Sequence, residues 1–521
     1  MEVIVLGSGP ASMFCSLALV EAGAHVCMID PGEVLEKARQ DVLHTVQGVP
    51  KARWTSDVFR MVKENTNPNT KGVPKKLVYG SDFPFRWRED DVEVRQEGVD
   101  TLMSHALGGL SNAWGANIFP LLPGDTAEWP ISMPALDPFY RRVCEYLTLA
   151  GVEDDLAEIF PLHATPKALP VSEQARLLLE DARANRSELR RNKMFIGRSR
   201  LAVRAQECVA CGLCLYGCPH QLIFSASHLL PRLLTYPNFS YRSGWLAKRI
   251  SEGHDGVSVE IRSVSDGVQE TCRAEKVYVG CGAVNSTALA LRSFHPPGTS
   301  AHLLDSQYFL TPFLRMRGSS GVLDEELHTL SQLALEILDP ALCDRSVHVL
   351  FYTYNDMYTR ALTGMLGPLA GVAKPFLKAF LGRLLIMQGY LHSDYSGQVR
   401  VQLDTASQGH EQLLLTPVEN ERTKPMVRAI HRRMRRMCRT FRGLPIDPMC
   451  HIGGVGKSYH LGGSMPMSLA PQGLQTDLLG RPVGLKSVHI VDASIFPSIP
   501  ATNVTFTAMA NAYRIGKETV G

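Results

Sequence analysis

Four cysteines stand within eleven residues of this 521-residue chain, in "ECVACGLCLYGCPHQLIF" (207–224): Cys208, Cys211, Cys214 and Cys218, with Pro219 after the last. The spacing C-x2-C-x2-C-x3-C-P is one that places thiolates around an iron–sulfur cluster. Two C-x2-C pairs also suit zinc, and cysteines this close can oxidise to disulfides or serve no ligand. Zinc sites usually put a long loop between their pairs, so the compactness and Pro219 favour iron–sulfur. No second run exists, so all four sulfurs are free to serve one centre. Near the carboxyl end, "YHLGGSMPM" (459–467) offers His460, and Asn503 follows in "PATNVTF" (500–506). An imidazole titrates near neutrality and suits proton transfer. An amide can orient a hydroxyl and stabilise a developing alkoxide, but cannot act as a base. His451, in the near-copy "HIGG", competes with His460. Asn503 could equally cap a helix.

These groups need a frame. "EVIVLGSGPASMFCSLALVEAGAHVCMID" reads strand, tight turn, helix, strand. The turn Gly7-Ser8-Gly9-Pro10-Ala11-Ser12 is a G-x-G-x-x-S variant of the dinucleotide fingerprint. Gly7 permits the turn, Gly9 lets the backbone approach a pyrophosphate, and the helix from Ala11 offers its positive end to that anion. Asp30 closes the second strand, where an acid takes ribose hydroxyls.

The carboxyl-terminal block resembles the glucose–methanol–choline (GMC) oxidoreductases, which use FAD. The resemblance rests on His460 before Gly462-Gly463, on "VDASIFP" (491–497), and on Asn503 opening a long helix. "HALGGLSNAWGANIF" (105–119) is similar to the family's second glycine segment, and "EWPISMPALDPFYRRV" (128–143) to the stretch leading into the substrate domain. "EKVYVGCGAVNSTALALRS" (275–293) and "SDYSGQVRVQL" (393–403) are similar to further family segments. The resemblance implies a mixed α/β fold. A Rossmann-like FAD domain would be built from residues 1–130, 195–300 and 440–521. A substrate domain around a mostly antiparallel sheet would take 131–194 and 301–439. It implies His460 as base and Asn503 as second hydrogen-bonding group. It also assigns Gly7, Ser8, Gly9, Pro10, Ala11, Asp30, Gly108, Gly109, Ser111, Asn112, Ala247, Gly282, Asp492, Ala493 and Asn503 to FAD. Two positions depart from the pattern. Ala113 stands where some relatives attach FAD through a His, which implies non-covalent FAD. Val504 follows Asn503 where most relatives have Pro. Some sugar-dehydrogenating relatives hold a three-iron cluster on C-x5-C-x3-C, the spacing of Cys208, Cys214 and Cys218. Cys211 would add a fourth ligand, so a four-iron cluster is expected, with three irons the alternative.

The activity expected is oxidation of a hydroxyl on a sugar-like or polyol molecule, with electrons leaving through the cluster to an acceptor other than oxygen. Three rivals stand beside it: an oxidase with structural cysteines, an enzyme of a sterol- or polyprenol-like alcohol, and a flavin and iron–sulfur electron carrier. The intact His460 and Asn503 pair speaks against the carrier.

Bulk properties limit the partners. The net charge is +3, with 45% hydrophobic and 20% charged residues, so nucleic acid is not expected. Two stretches are basic: 190–208, and 424–442 with seven Arg, one Lys and no acid. The second reads as an amphipathic helix. Its basic face suits solvent, an acidic acceptor protein such as a ferredoxin, a phosphorylated substrate, or an anionic surface. A quinone is the other acceptor expected. "ALTGMLGPLAGVAKPFLKAFLGRLLIM" (361–387) is apolar but broken by charges and prolines. It reads as a core helix, a substrate lid, a dimer contact or a membrane-surface contact, not a span. The 12 scattered and clustered cysteines and the immediate strand "MEVIVLG" predict a cytoplasmic protein, with the inner membrane surface as the other location.

Overall fold

A computed structural model describes residues 1–64, 77–87, 92–356, 370–405 and 411–520. The amino-terminal segment folds as its pattern predicts. Strand Glu2–Leu6 is buried on both faces, as a central parallel strand must be, and helix Pro10–Glu21 follows after a three-residue turn. Five parallel strands form the sheet, in the order Val488–Ile490, Lys276–Val279, Glu2–Leu6, His25–Asp30, Phe239–Ser243. Its strands come from both ends and the middle of the chain. Helix Pro10–Glu21 is buried nearly all round, which its even apolar sequence requires, and it packs against helix Thr505–Val520. An antiparallel three-stranded sheet (Trp245–Gly253, Gly256–Ser263, Gln269–Ala274) lies beside this layer.

A seven-stranded antiparallel sheet builds the second half. Its main path runs Gly443–Pro445, Tyr308–Arg315, Leu384–Leu391, Val347–Tyr352, Leu333–Ile337, Met194–Arg198, with His451–Ile452 also paired to Tyr308–Arg315. The period of two sorts its side chains. Phe309, Phe313, Leu335, Val349, Phe351 and Met387 face one way, under helices Glu173–Ala184 and Thr423–Arg436. Tyr308, Leu310, Tyr352 and Tyr390 face the other way. The expected domain boundary at residue 195 falls inside the edge strand Met194–Arg198, which pairs with Leu333–Ile337. Strand Val92–Gln96 pairs in parallel with Glu411–Val418, in a further five-stranded sheet.

The basic stretch 424–442 forms helix Thr423–Arg436 and a short continuation, Cys438–Phe441. Met426, Val427, Ile430 and Met434 are buried, and the arginines alternate around the outer face. Of the apolar stretch 361–387, residues 361–369 lie outside the described residues. Ala370–Leu381 is a helix, and Leu384 begins a strand. Among the described residues no helix is long and apolar enough to cross a membrane.

Candidate active site

The turn after the first strand is a cradle. Gly7 sits at φ +89°, and a Cβ there would stand 2.7 Å from the Gly280 carbonyl oxygen. Glycine is therefore required both by the backbone angle and by the neighbouring strand. Helix Pro10–Glu21 has Pro at its first position, no side-chain cap and no acid in its first turn. Its end keeps its positive field and its unpaired N–H groups for a ligand. Asp30 is buried. Its Oδ1 accepts the Gly32 N–H at 2.7 Å and the Tyr241 hydroxyl at 3.3 Å. Burial pushes its carboxyl up to about 7, against the lowering effect of hydrogen bonds from Ser8, Gly32 and Tyr241. The Ser8 hydroxyl also accepts the Gly108 N–H at 3.1 Å, so the first glycine turn holds the second.

Across the cradle, residues near the carboxyl end close on one another. The Asn503 amide and His460 Nε2 are 3.0 Å apart. His460 Nδ1 and Asn503 Oδ1 are both buried with no hydrogen-bond partner. Asn503 Oδ1 therefore caps no helix, and the capping reading of this residue does not hold. The cost of leaving such atoms unpaired is about 1–3 kcal/mol each, unless something else meets them. Burial, reinforced by the His348 charge, pushes the His460 imidazole down to about 4, so the ring is neutral at ordinary pH and free to take a proton. Behind it, the His460 N–H donates to Ser458 Oγ at 2.9 Å, and the Ser458 hydroxyl donates to Asp305. Asp305 Oδ2 accepts the Gly456 N–H at 2.7 Å, and the residue is fully buried. The Tyr390 ring lies 4.8 Å from the imidazole. His451 is exposed in a strand opposite Leu310; it lines the same cavity as His460 but is not hydrogen-bonded to Asn503.

One cavity of about 960 Å³ joins the two groups. Gly7, Ser8, Gly9, Pro10, Ala11, Asp30, Gly109, Ser111, Ala247, Gly282, Asp492, Ala493 and Asn503 line it, together with His460. Gly108 and Asn112 do not. Gly108 is left-handed at φ +87°, and a Cβ there would meet the Ser227 nitrogen at 2.8 Å. Asn112 Nδ2 donates to the Leu107 and Gly109 carbonyls at 2.9 and 2.8 Å, and its Oδ1 accepts from the Ser225 hydroxyl. Both shape the glycine segment instead of facing the cavity. Asp492 accepts the Gly282 N–H at 2.9 Å, the Ser286 hydroxyl at 2.5 Å and the Ser494 N–H at 3.0 Å, so its carboxylate fixes two turns at the cavity wall. The chain's residues fit FAD: an uncapped helix end for pyrophosphate, a buried acid at a strand end for ribose, and one cavity that runs on to His460 and Asn503.

Sequence reasoning missed Tyr352, Gln388 and Tyr390, which line the same cavity from the seven-stranded sheet. The alternation of "LLIMQGYL" (384–391) carried the signal, because Ile386, Gln388 and Tyr390 share one face. Asp305 and Ser458 were missed as well, and no local pattern links residues 153 positions apart.

The cysteine loop does not fit the expected cluster. Among the described residues no group of three His, Cys, Asp or Glu side chains stands where it could hold a metal ion. Cys208, Cys214 and Cys218 pack against the main core, whereas Cys211 packs with Leu213, Tyr216 and Trp54 in a separate cluster. The Cys211 backbone is bridged to Leu327. Burial pushes Cys211 up to about 11 and Cys218 up to about 12, so these are neutral thiols in this arrangement. Backbone N–H groups two residues on bond to Cys208, Cys211 and Cys218, from Ala210, Leu213 and His220. Such bonds favour thiolate, whereas Cys214, close enough to act on Cys208, Cys211 and Cys218, raises all three thiols.

Comparison with known proteins agrees with this geometry. Residues 396–512 match the family model described as GMC oxidoreductase. Pyridoxine 4-oxidase from Mesorbium loti has a similar structure, with a TM-score of 0.62 at 13% identity over 99% of this chain and 98% of that one. An FAD-dependent oxidoreductase from Chaetomium thermophilum has a TM-score of 0.59 at 11% identity, over 99% and 98%. No curated protein matches the sequence. The matched block holds His460 and Asn503, and the shared fold holds the cradle. Together they show that the carboxyl-terminal part resembles the GMC oxidoreductases and that the whole chain shares the fold of these two structures.

Proposed function

We propose that the chain oxidises a hydroxyl of a sugar-like or polyol substrate to a carbonyl. The observation that carries this reading is the His460–Asn503 pair, 3.0 Å apart, in the cavity that also holds the dinucleotide cradle. Non-covalently bound FAD supplies the hydride acceptor. On binding, the substrate hydroxyl replaces the direct hydrogen bond between the two side chains: it gives its proton to His460 Nε2 and accepts the Asn503 Nδ2–H, which the two groups otherwise spend on each other. The neutral imidazole is competent as a base without prior deprotonation. The amide proton stabilises alkoxide charge as it develops. The Asp305–Ser458 pair fixes the His460 backbone and so sets where the ring stands. Tyr390 confines the ring from one side and excludes water there. The amide of Gln388 and the phenol rings of Tyr352 and Tyr390 give a polyhydroxyl molecule polar partners and flat apolar faces.

No step is routed through the cysteine loop, since among the described residues no three ligands stand where they could hold a metal ion. A cytoplasmic location and a protein or quinone acceptor are parts of the same proposal.

Anaerobic titration with a panel of cyclic polyols, aliphatic alcohols and sterols tests it. Bleaching of the flavin absorbance is expected with polyols and not with sterols. Bleaching by sterols alone would overturn the substrate class, and bleaching by no alcohol would overturn the reaction.

A further inference from the structure

One surface of the molecule mixes bare apolar side chains with unpaired guanidinium groups. Phe376 is 80% exposed on helix Ala370–Leu381, and Met316 is 54% and Leu444 38% exposed nearby. These residues are joined by backbone bonds. The Met316 N–H donates to Arg442 O at 2.8 Å, the Arg315 N–H to Arg383 O at 2.9 Å, and the Ser319 N–H to Gly382 O at 2.9 Å. The helix end, the strand end of Tyr308–Arg315 and the strand Gly443–Pro445 therefore meet at one edge of the seven-stranded sheet.

The charge there is strongly positive. Arg315, Arg317 and Arg442 all reach the one buried carboxylate of Asp181, and Arg317 also acts on Glu173, so the guanidinium groups outnumber the carboxylates they meet. Lys378 lies 4.0 Å from Asp324, and those two cancel. Arg383 spends its Nη1 on the Met316 carbonyl. Exposed Arg432 and Arg436 on helix Thr423–Arg436, and exposed Arg439 on its continuation Cys438–Phe441, add further positive charge and make no ion pair among the described residues.

We propose that this edge docks the protein on an anionic bilayer surface. Charge alone would suit any polyanion. Large apolar side chains held out among the arginines suit the boundary between headgroups and acyl chains, where Phe, Met and Leu leave water while Arg meets phosphate. An acidic protein or nucleic acid offers no layer for Phe376 to enter. The strand Tyr308–Arg315 links this surface to the cavity, because Pro312 lines the cavity and Met316 lies four residues on, about 13 Å along the strand.

Co-sedimentation of the full flavin-loaded chain with vesicles tests the proposal. Vesicles of phosphatidylcholine alone are compared with vesicles holding one part phosphatidylserine to two of phosphatidylcholine. Binding to the anionic vesicles, weakening as salt rises, is the expected result. Arg439→Gln should weaken it about fivefold, the effect of one cation near the surface. Phe376→Ser should weaken it about tenfold or more. Both residues are far from the site, so flavin content and melting temperature should be unchanged. Failure to bind anionic vesicles overturns the proposal. So does binding that Phe376→Ser leaves intact and that polyglutamate or duplex DNA competes for equally, since the surface would then be a general polyanion site.

Discussion

The His460–Asn503 pair and the cysteine loop present opposite relations between spacing and convergence. The first joins residues 43 positions apart, with no spacing rule between them, yet their polar atoms meet at 3.0 Å in a buried cavity. The second has a regular spacing over eleven residues, yet among the described residues no three of its side chains stand where they could hold a metal ion. The difference lies in what surrounds each. His460 is held through its backbone by Ser458 and Asp305, and Asn503 stands just before the buried helix Thr505–Val520, so rigid neighbours fix both. The cysteines belong to a loop of short 3-10 turns whose sulfurs are divided between two apolar clusters. A site needs its side chains fixed by elements that cannot shift, and regular spacing does not supply that.

The largest effect expected falls on His460. Replacing it by Ala should lower kcat about 10²- to 10⁴-fold, with flavin content intact. Asn503→Ala removes one donor and should cost about 10²- to 10³-fold. A loss at His460 with none at Asn503 would break the pairing, leaving the histidine to act alone. Flavin absorbance of the purified variants and single-turnover reduction separate a lost cofactor from a lost step.

A pH profile sharpens the same side of the comparison. Burial holds the His460 imidazole near 4, well below the ordinary value of about 6.5. The base is therefore neutral, and active, above about pH 4, and is lost as pH falls through that value. The kcat/KM profile should stay level from pH 7 to about 5 and fall below that. An acid limb near 6.5 would show that the working ring is a solvated one.

Much of the fold was legible from local pattern. The glycine turn, the uncapped helix and Asp30 are contiguous, and each follows from short-range chemistry that a sequence displays. His460 and Asn503 were legible only through a family resemblance, since nothing between residues 460 and 503 states that they touch. Asp305, Ser458 and Tyr390 were not legible, because their contacts come from strands brought together late in the chain. Gly108 and Asn112 show a subtler limit. Part of their segment lines the cavity, but the sequence does not tell which members face it and which hold the turn. The cysteine spacing meets the same limit, since a pattern carries no information on which core each residue will join.

Asp305 gives an intermediate effect. Asp305→Ala leaves the Gly456 N–H and the Ser458 hydroxyl without their buried acceptor, at about 1–3 kcal/mol for each group left unpaired. The melting temperature should fall, and kcat should fall with it while KM changes little, because the altered group positions His460 and does not touch substrate. Asp305→Asn keeps one acceptor oxygen and should recover part of both. If stability falls and kcat does not, the network supports the loop and not the imidazole.

The smallest effects expected are on the other side of the comparison. His451→Ala should leave turnover unchanged, because His451 is exposed and has no partner like Asn503. Cys214→Ser should leave flavin reduction by alcohol unchanged, and turnover with an artificial acceptor likewise. Neither residue touches the pair that moves the proton. The second result is the sharper test. Iron and acid-labile sulfide at one cluster per chain in anaerobically purified protein, lost in Cys214→Ser along with transfer to a protein acceptor, would show that the loop closes on metal. The N–H groups of Ala210, Leu213 and His220 already bond to three of the sulfurs, so closure would need only that the side chains turn from their apolar clusters. Burial of neutral thiols opposes this turn, and a metal that binds thiolate favours it. Unchanged turnover together with iron-free protein would leave the loop as packing, and would confine the chemistry of this chain to the cavity shared by the cradle, His460 and Asn503.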